Sequence, residues 1–150
     1  VFTRQKVAAQ ARSSETFAQI ERGGYVLHEP SQTPEVVLIA TGSEVGITMQ
    51  AAETLGDQGI AVRVVSMPCV EVFASQDADY QESVLPLQLR ARVAVEAGHP
   101  DIWFKYVGID GAVVGIDRFG VSAPGAQALQ AMGITADNVA AKALAVLGRR

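Results

Sequence analysis

The apolar, mostly β-branched run at positions 36–40, Val-Val-Leu-Ile-Ala, constrains the fold of this chain more than any other feature. Such a run offers no polar side chain to water, so it is typical of a strand that is buried on both faces. Burial on both faces requires a packing layer on each side of a sheet. We therefore expect helices above and below a largely parallel sheet.

The rest of the chain alternates between strand-like and helix-like segments joined by short connections. Further strands are predicted at 25–27, 60–66, 92–96 and 113–116, and helices at 44–55, 70–85 with a break near 75–77, 124–132 and 136–147. Ser43 and Thr135 are placed to cap two of the helices, and Gly56 with Gly59 to stop one. The predicted fold is an α/β three-layer sandwich: a mostly parallel five-stranded sheet with one antiparallel edge strand, and helices on both faces.

The composition and charge of the chain limit the kinds of molecule that it could bind. The chain has 150 residues, 49% hydrophobic and 19% charged, which is typical of one globular domain. Its net charge of -4 argues against nucleic acid or an anionic membrane as a partner. Cys69 is the only cysteine, which excludes an internal disulfide and is compatible with a reducing cytoplasm. No apolar run is long enough for a membrane span.

The first residues look like the middle of a longer protein. The sequence starts with Val1 and not Met, within what reads as a short strand. Residues 8–22 are polar and are predicted to form a linker with one helical turn. We expect the natural chain to continue upstream.

The segment Thr41-Gly42-Ser43 follows the buried strand, where ligands bind in sheets of this kind. Backbone N–H groups at Gly42 and Ser43 could bind an anion at the start of the next helix. Alternatively, Ser43 only caps that helix and Gly42 only permits the turn. The carboxylate of Glu44 would oppose an anion, and no glycine-rich phosphate motif is present. Both interpretations stay open.

The histidines and the cysteine give little sign of chemistry. Neither His28 nor His99 lies in a predicted helix with a Cys, Asp or Glu at the spacing of metal ligands. A structural or surface role is predicted for both histidines, and an inert buried thiol for Cys69. No metal site and no catalytic residue are predicted from these positions.

Other side chains could act in a site or at an interface. Glu96, at the end of a predicted strand, could be a general base or an interface group. The aromatic residues Trp103, Phe104 and Tyr106 are predicted to lie in a loop that packs against a neighbouring domain or subunit, with a ligand platform as the alternative.

Eight segments of the chain together resemble transketolases. Each is modest alone, but they occur in the family's order and spacing and cover nearly the whole chain. They are 3–5 (TRQ), 22–27 (RGGYVL), 39–45 (IATGSEV), 63–68 (RVVSMP), 80–86 (YQESVLP), 91–98 (ARVAVEAG), 103–108 (WFKYVG) and 119–124 (FGVSAP).

The resemblance implies a place in a larger enzyme. Residues 1–22 would be the end of the preceding pyrimidine-binding domain and a linker, and residues 23–150 the C-terminal α/β domain. Transketolases are homodimers that move a two-carbon ketol unit from a ketose phosphate to an aldose phosphate in the pentose phosphate pathway. They use thiamine diphosphate with Mg²⁺ or Ca²⁺, held by the other two domains. This chain alone is therefore expected to be inactive, to bind no cofactor and to support the dimer.

One residue of the catalytic cleft is carried over by the resemblance. Thr3-Arg4-Gln5 matches a Ser-Arg-Gln motif of the family whose arginine binds the substrate phosphate, which places that role on Arg4. The planar guanidinium can pair two phosphate oxygens at once. Thr3 departs from the usual serine, and Arg4 could instead be a surface residue in this fragment.

Three other functions stay open on the sequence alone. Two are enzymes of the same architecture that also use thiamine diphosphate, namely dihydroxyacetone synthase and the β subunit of an α-keto acid dehydrogenase. The third, from a different class, is a free-standing regulatory module that binds an anion at Gly42 and Ser43.

Overall fold

A five-stranded mixed sheet forms the centre of the computed structural model, which describes residues 6–149. The strands are β1 (Tyr25–His28), β2 (Val36–Ala40), β3 (Val62–Ser66), β4 (Arg92–Val95) and β5 (Ala112–Val114). Their spatial order is β1-β3-β2-β4-β5, with β1 antiparallel to β3 and the other pairs parallel. The predicted fold class, with its single antiparallel edge strand, is confirmed.

Helices cover both faces of the sheet. In chain order they are α1 (Ser14–Ile20), α2 (Glu44–Asp57), α3 (Val70–Ala74), α4 (Ala78–Val84), α5 (Phe104–Val107), α6 (Gly125–Ala131) and α7 (Ala136–Val146), and a 3-10 turn (Pro100–Trp103) leads into α5. None of the helices within residues 6–149 is long and apolar enough to cross a membrane.

Strand β2 divides the core into two halves. All five of its residues are 0% exposed, because alternate side chains point to opposite faces and each face is covered. Leu38 packs with Leu55 of α2 and Val139 of α7 on one face. Ile39 belongs to the cluster with Phe73 of α3 and with Trp103 on the other face.

Several predicted boundaries need correction. The polar segment before residue 23 contains α1, a seven-residue helix and not a single turn, capped by Ser13. The predicted loop around Trp103 is a 3-10 turn followed by α5. Gly56 does not stop α2; the helix continues to Asp57, and Gly59 with φ +79° turns the chain away. The break between α3 and α4 and the cap by Thr135, whose side chain accepts from the Asn138 N–H, are confirmed.

Arg92, the first residue of β4, is hydrogen-bonded to the segment between α4 and β4 and to α5. Its guanidinium donates to the carbonyl oxygens of Leu85, Pro86, Leu89 and Tyr106 at 2.7–3.0 Å. Burial lowers the pKa of Arg92, because the charged form loses water, and Glu82 opposes that shift. Four hydrogen bonds to peptide carbonyls replace the water that the guanidinium loses on burial.

Arg22 joins the segment before β1 to α4. Its Nη2 atom lies 3.0 Å from Asp77 Oδ2, and its guanidinium carbon lies 3.3 Å from the centre of the Tyr80 ring. The Tyr80 backbone N–H donates to Asp77 and lowers the pKa of that carboxyl, with Arg22 adding to the effect. The Tyr80 hydroxyl donates to the Gly24 carbonyl at 2.8 Å. The start of the sheet is thereby anchored to the helical layer.

Gly111 provides a test of how closely α5 approaches the sheet. A Cβ atom at this position would lie 2.5 Å from the Val107 carbonyl oxygen and 2.7 Å from the Arg92 carbonyl oxygen. We expect Gly111→Ala to lower the free energy of unfolding by about 1–3 kcal/mol, because backbone has to move. Gly56→Ala is the control: its Cβ meets nothing within 4 Å, and alanine should stabilise the helix by up to about 1 kcal/mol. Urea unfolding that gave both variants the same sign would contradict this packing.

Candidate functional site

The crevice at the carboxyl edge of the sheet is where this fold can bind a ligand. Strand β3 pairs with one side of β2, and β4 pairs with the other side. The direction in which successive strands are added to the sheet therefore reverses between β2 and β4. Ligands in such sheets bind outside the carboxyl ends at this switch point. The residues that follow the two strands are Thr41-Gly42-Ser43 and Glu96.

Ser43 does not cap α2 through its side chain, which corrects the prediction. The residue has helical backbone angles, φ -67° and ψ -24°, and a side chain in that conformation does not reach the N–H groups of the first turn. Its hydroxyl donates instead to Glu44 Oε1 at 2.6 Å. The Glu44 N–H donates to the Thr41 carbonyl at 3.2 Å, which closes the turn around Gly42.

Glu44 places a negative charge where the predicted anion would bind. The residue is 5% exposed and begins α2, so its carboxylate lies at the positive end of the helix dipole. Gly42 has φ +56° and is exposed, as a turn requires. The helix end is thus already balanced by a side chain of the protein. Anion binding at Gly42 and Ser43 stays a prediction, and Glu44 opposes it.

Glu96 makes a structural hydrogen bond at the end of β4. Its Oε2 atom accepts from the indole Nε1 of Trp103 at 2.6 Å. Gly98 leaves room for this carboxylate, since a Cβ there would lie 3.2 Å from Glu96 Cδ. The bond fixes the 3-10 turn to the carboxyl end of the strand. A catalytic role for Glu96 stays untested.

The three aromatic residues divide between core and surface. Trp103 is 1% exposed and Tyr106 is buried, with ring centres 6.0 Å apart, whereas Phe104 is exposed. The expectation that all three pack against a neighbouring domain is therefore wrong for Trp103 and Tyr106. A sequence pattern could not separate them, because the helix that sorts their faces is only four residues long.

The histidines and the cysteine form no cluster. His28 is exposed at the end of β1, and His99 is exposed with Nδ1 3.4 Å from Asp101 Oδ2. Cys69 is half-buried, not fully buried as predicted, because it precedes α3 at the surface; its thiol lies 3.4 Å from Glu71 Oε2. Within residues 6–149, no three His, Cys, Asp or Glu side chains could together hold a metal ion.

A cavity of about 380 Å³ at the same edge contains residues that the sequence did not single out. Arg12 and the buried Ser66 line it together with Gly42. Arg12 Nε donates to the Tyr25 hydroxyl at 2.9 Å, so the segment before α1 lies against the start of β1. Ser66 could have been found as the last residue of a predicted strand, but nothing in the sequence marks Arg12. Arg4 lies outside the described residues.

Residues 23–135 match the family model described as the transketolase-like C-terminal domain. Over 150 residues the chain is 51% identical to Transketolase 2 of Pasteurella multocida (strain Pm70), covering 98% of this chain and 22% of that protein. It is 50% identical over 148 residues to Transketolase 2 of Escherichia coli (strain K12), again with 22% of that protein covered. The chain therefore spans about a fifth of the length of these relatives.

Solved structures give the same fold. A transketolase from Leishmania mexicana superimposes with a TM-score of 0.87 at 34% identity, covering 97% of this chain and 20% of that one. A transketolase from Campylobacter jejuni superimposes with a TM-score of 0.74 at 33% identity, covering 87% of this chain and 19% of that one.

The contribution of the Trp103–Glu96 hydrogen bond to stability can be tested by substitution. We expect Trp103→Phe to lower the free energy of unfolding by about 1–3 kcal/mol, because the half-buried carboxylate loses its donor. Glu96→Gln keeps an acceptor for the indole and should cost less. In a Glu96→Ala background the tryptophan substitution should also cost less, since no carboxylate is left unpaired. If urea unfolding showed that the losses of the two single variants add up to the loss of the double variant, the two side chains would not be coupled, which would contradict this prediction.

Proposed function

Because this chain belongs to the transketolase C-terminal domain family, we propose that it is the carboxyl-terminal part of a longer enzyme that transfers two-carbon ketol units between sugar phosphates. The donor would be a ketose phosphate and the acceptor an aldose phosphate, as in the pentose phosphate pathway. The chain itself supports the catalytic domains and the homodimer. By itself it is proposed to be inactive.

The observation that carries this proposal is the identity along almost the whole chain. At 51% identity over 98% of the chain, the similarity extends well beyond a shared architecture. The relatives are transketolases, so dihydroxyacetone synthase and an α-keto acid dehydrogenase β subunit are not favoured. A free-standing anion-binding module is not favoured either, since Glu44 occupies the helix end that such a module would use.

The cofactor is proposed to bind elsewhere in the longer enzyme. Thiamine diphosphate needs a divalent cation, Mg²⁺ or Ca²⁺, which prefers several oxygen ligands converging on one point. The described residues offer no such set, because their acidic groups do not cluster in threes. We propose that domains outside this chain hold the cofactor and its cation.

The domain division and the location stay proposals. Residues 1–22 would end the preceding pyrimidine-binding domain and form a linker, and 23–150 the C-terminal domain. α1 supports this division because none of its residues is buried, as a linker helix permits. A cytoplasmic location is supported by the lone, unpaired cysteine.

Arg4 is the one residue of this chain for which we propose contact with substrate. Its support is the match of Thr3-Arg4-Gln5 to the family's phosphate-binding motif. A guanidinium can donate two parallel hydrogen bonds to a phosphate, which gives orientation as well as attraction. Because Arg4 precedes the linker, it would act in the cleft of the longer enzyme.

We expect the full-length protein, with thiamine diphosphate and Mg²⁺, to convert xylulose 5-phosphate and ribose 5-phosphate in a coupled assay. The 150-residue chain under the same conditions should show no turnover, because the domains proposed to hold the cofactor lie outside it. Turnover by the 150-residue chain, purified from a host without transketolase, would sink the inactive-fragment proposal. A full-length protein without ketol transfer would sink the proposed function itself.

We expect Arg4→Ala in the full-length enzyme to raise KM for phosphorylated donor and acceptor, with a smaller effect on kcat. Loss of charge-assisted hydrogen bonds costs about 1.5–3 kcal/mol, or roughly 10- to 150-fold in kcat/KM. Lys142→Ala is the control, because it removes a positive charge from the exposed face of α7, away from the linker. Unchanged KM values for both substrates in the Arg4 variant would remove this residue from the site.

A further inference from the structure

The segment 117–123, between β5 and α6, exposes apolar side chains to a degree that nothing in this domain explains. All seven residues are exposed. Phe119 is 99% exposed and Val121 is 47% exposed. We refer to this segment as the Phe119 loop. Covering a phenylalanine that lies almost wholly in water would stabilise the assembled protein by removing its apolar surface from water.

The Phe119 loop is held at the carboxyl edge of the sheet. The backbone leaves β5 beside the turn after β4, with the Ile116 N–H donating to the Gly98 carbonyl at 2.8 Å. Ile116, His99 and Phe119 line a cavity of about 420 Å³ there. Arg118 Nη2 donates to the Ala131 carbonyl at 2.8 Å, which fixes the loop against the end of α6. The exposed phenylalanine is therefore displayed from an anchored segment.

The polypeptide that precedes the sheet arrives at this same edge. Residues 7–10 line the cavity with Gly42 and Ser66, which mark the carboxyl ends of β2 and β3. β3 and β5 are three strand spacings apart, or about 15 Å. A domain of about 150 residues has a radius of gyration of about 15 Å. A domain attached through residues 1–10 and lying over this edge is wide enough to reach Phe119.

We propose that the Phe119 loop is the surface on which the preceding domain of the same longer transketolase chain docks. This inference rests on the proposed function, since it needs the part of the enzyme that this chain does not contain. Phe119 is the central anchor and Val121 an apolar neighbour, while Asp117 and Arg118 form a charged rim. The relatives supply the length for such a domain, because this chain covers only 22% of them.

Ile109 is a matched exposed residue on the opposite edge. It is 94% exposed and lies between α5 and β5, where β5 begins. Its neighbour Asp110 pairs with Arg90, so the surroundings of Ile109 are charged and solvated. The two cavities that residues 7–10 help to line contain no residue between α5 and β5. Ile109 is therefore the control: an apolar residue that is almost equally exposed but lies outside the proposed docking surface.

Photo-cross-linking of the full-length protein tests the proposal directly. p-Benzoyl-L-phenylalanine is placed at position 119 or at position 109, and cross-linked peptides are identified after irradiation. We expect position 119 to cross-link within its own chain, to residues upstream of Val1, several-fold more than position 109. Cross-links between two subunits, seen as a doubled mass on a denaturing gel, would show that a second subunit covers Phe119, and would overturn the proposal that the preceding domain of the same chain does. Yields at position 119 no higher than at 109 would overturn the docking surface.

A second measurement needs no unnatural residue. Phe119→Ser should lower the melting temperature of the full-length protein by several degrees, whereas Ile109→Ser should leave it unchanged. Equal melting temperatures for both variants and the wild type would overturn the proposal. The tests separate the two ideas: a protein that cross-links as expected but lacks ketol transfer refutes the function and keeps the docking surface.

Discussion

The burial of β2 on both faces is the constraint on which the rest of the structure depends. Its five residues contribute no polar side chain, so water has to be excluded from both sides at once. Leu38 and Ile39, adjacent in sequence, belong to opposite cores. A single covering layer would leave one of these cores open. The three layers follow from this requirement, and the parallel pairing of β2 with β3 and β4 is typical of a sheet covered on both faces.

The polar groups at the carboxyl edge serve mainly to hold the layers in place. The Glu44 carboxylate accepts from Ser43 and balances the start of α2, while Glu96 holds the indole of Trp103. At the opposite edge, Arg92, the first residue of β4, donates to the carbonyls of two connections. Each group exchanges its water for a partner within the chain, which removes the cost of burying it. The crevice of the fold is thus built from bonded side chains, in agreement with a supporting domain.

Features governed by local pattern could be predicted from the sequence, and features governed by competition between neighbours could not. The apolar run at β2 gave the sheet, because burial on both faces leaves a compositional trace. The predicted cap by Ser43 was wrong because the residue has helical backbone angles, and its hydroxyl donates to Glu44 instead. Trp103 and Phe104 are adjacent and chemically alike, yet one is buried and the other is exposed. The 3-10 turn that ends at Trp103 is held by the hydrogen bond from its indole to Glu96, a contact that no periodic pattern in the sequence marks.

The proposed site residue and the fold are coupled through the linker. Arg4 lies outside the described residues, but the segment that follows it is tethered twice to the domain. Arg12 donates to the hydroxyl of Tyr25, which is 1% exposed, and Arg22 pairs with Asp77 beside the Tyr80 ring. Both tyrosines belong to the framework of the sheet and its helices, so the linker is held by rigid partners. If Arg4 binds a substrate phosphate, its distance from the sheet edge is limited by these tethers. The domain can then influence substrate binding through position alone, without contributing a group to the chemistry.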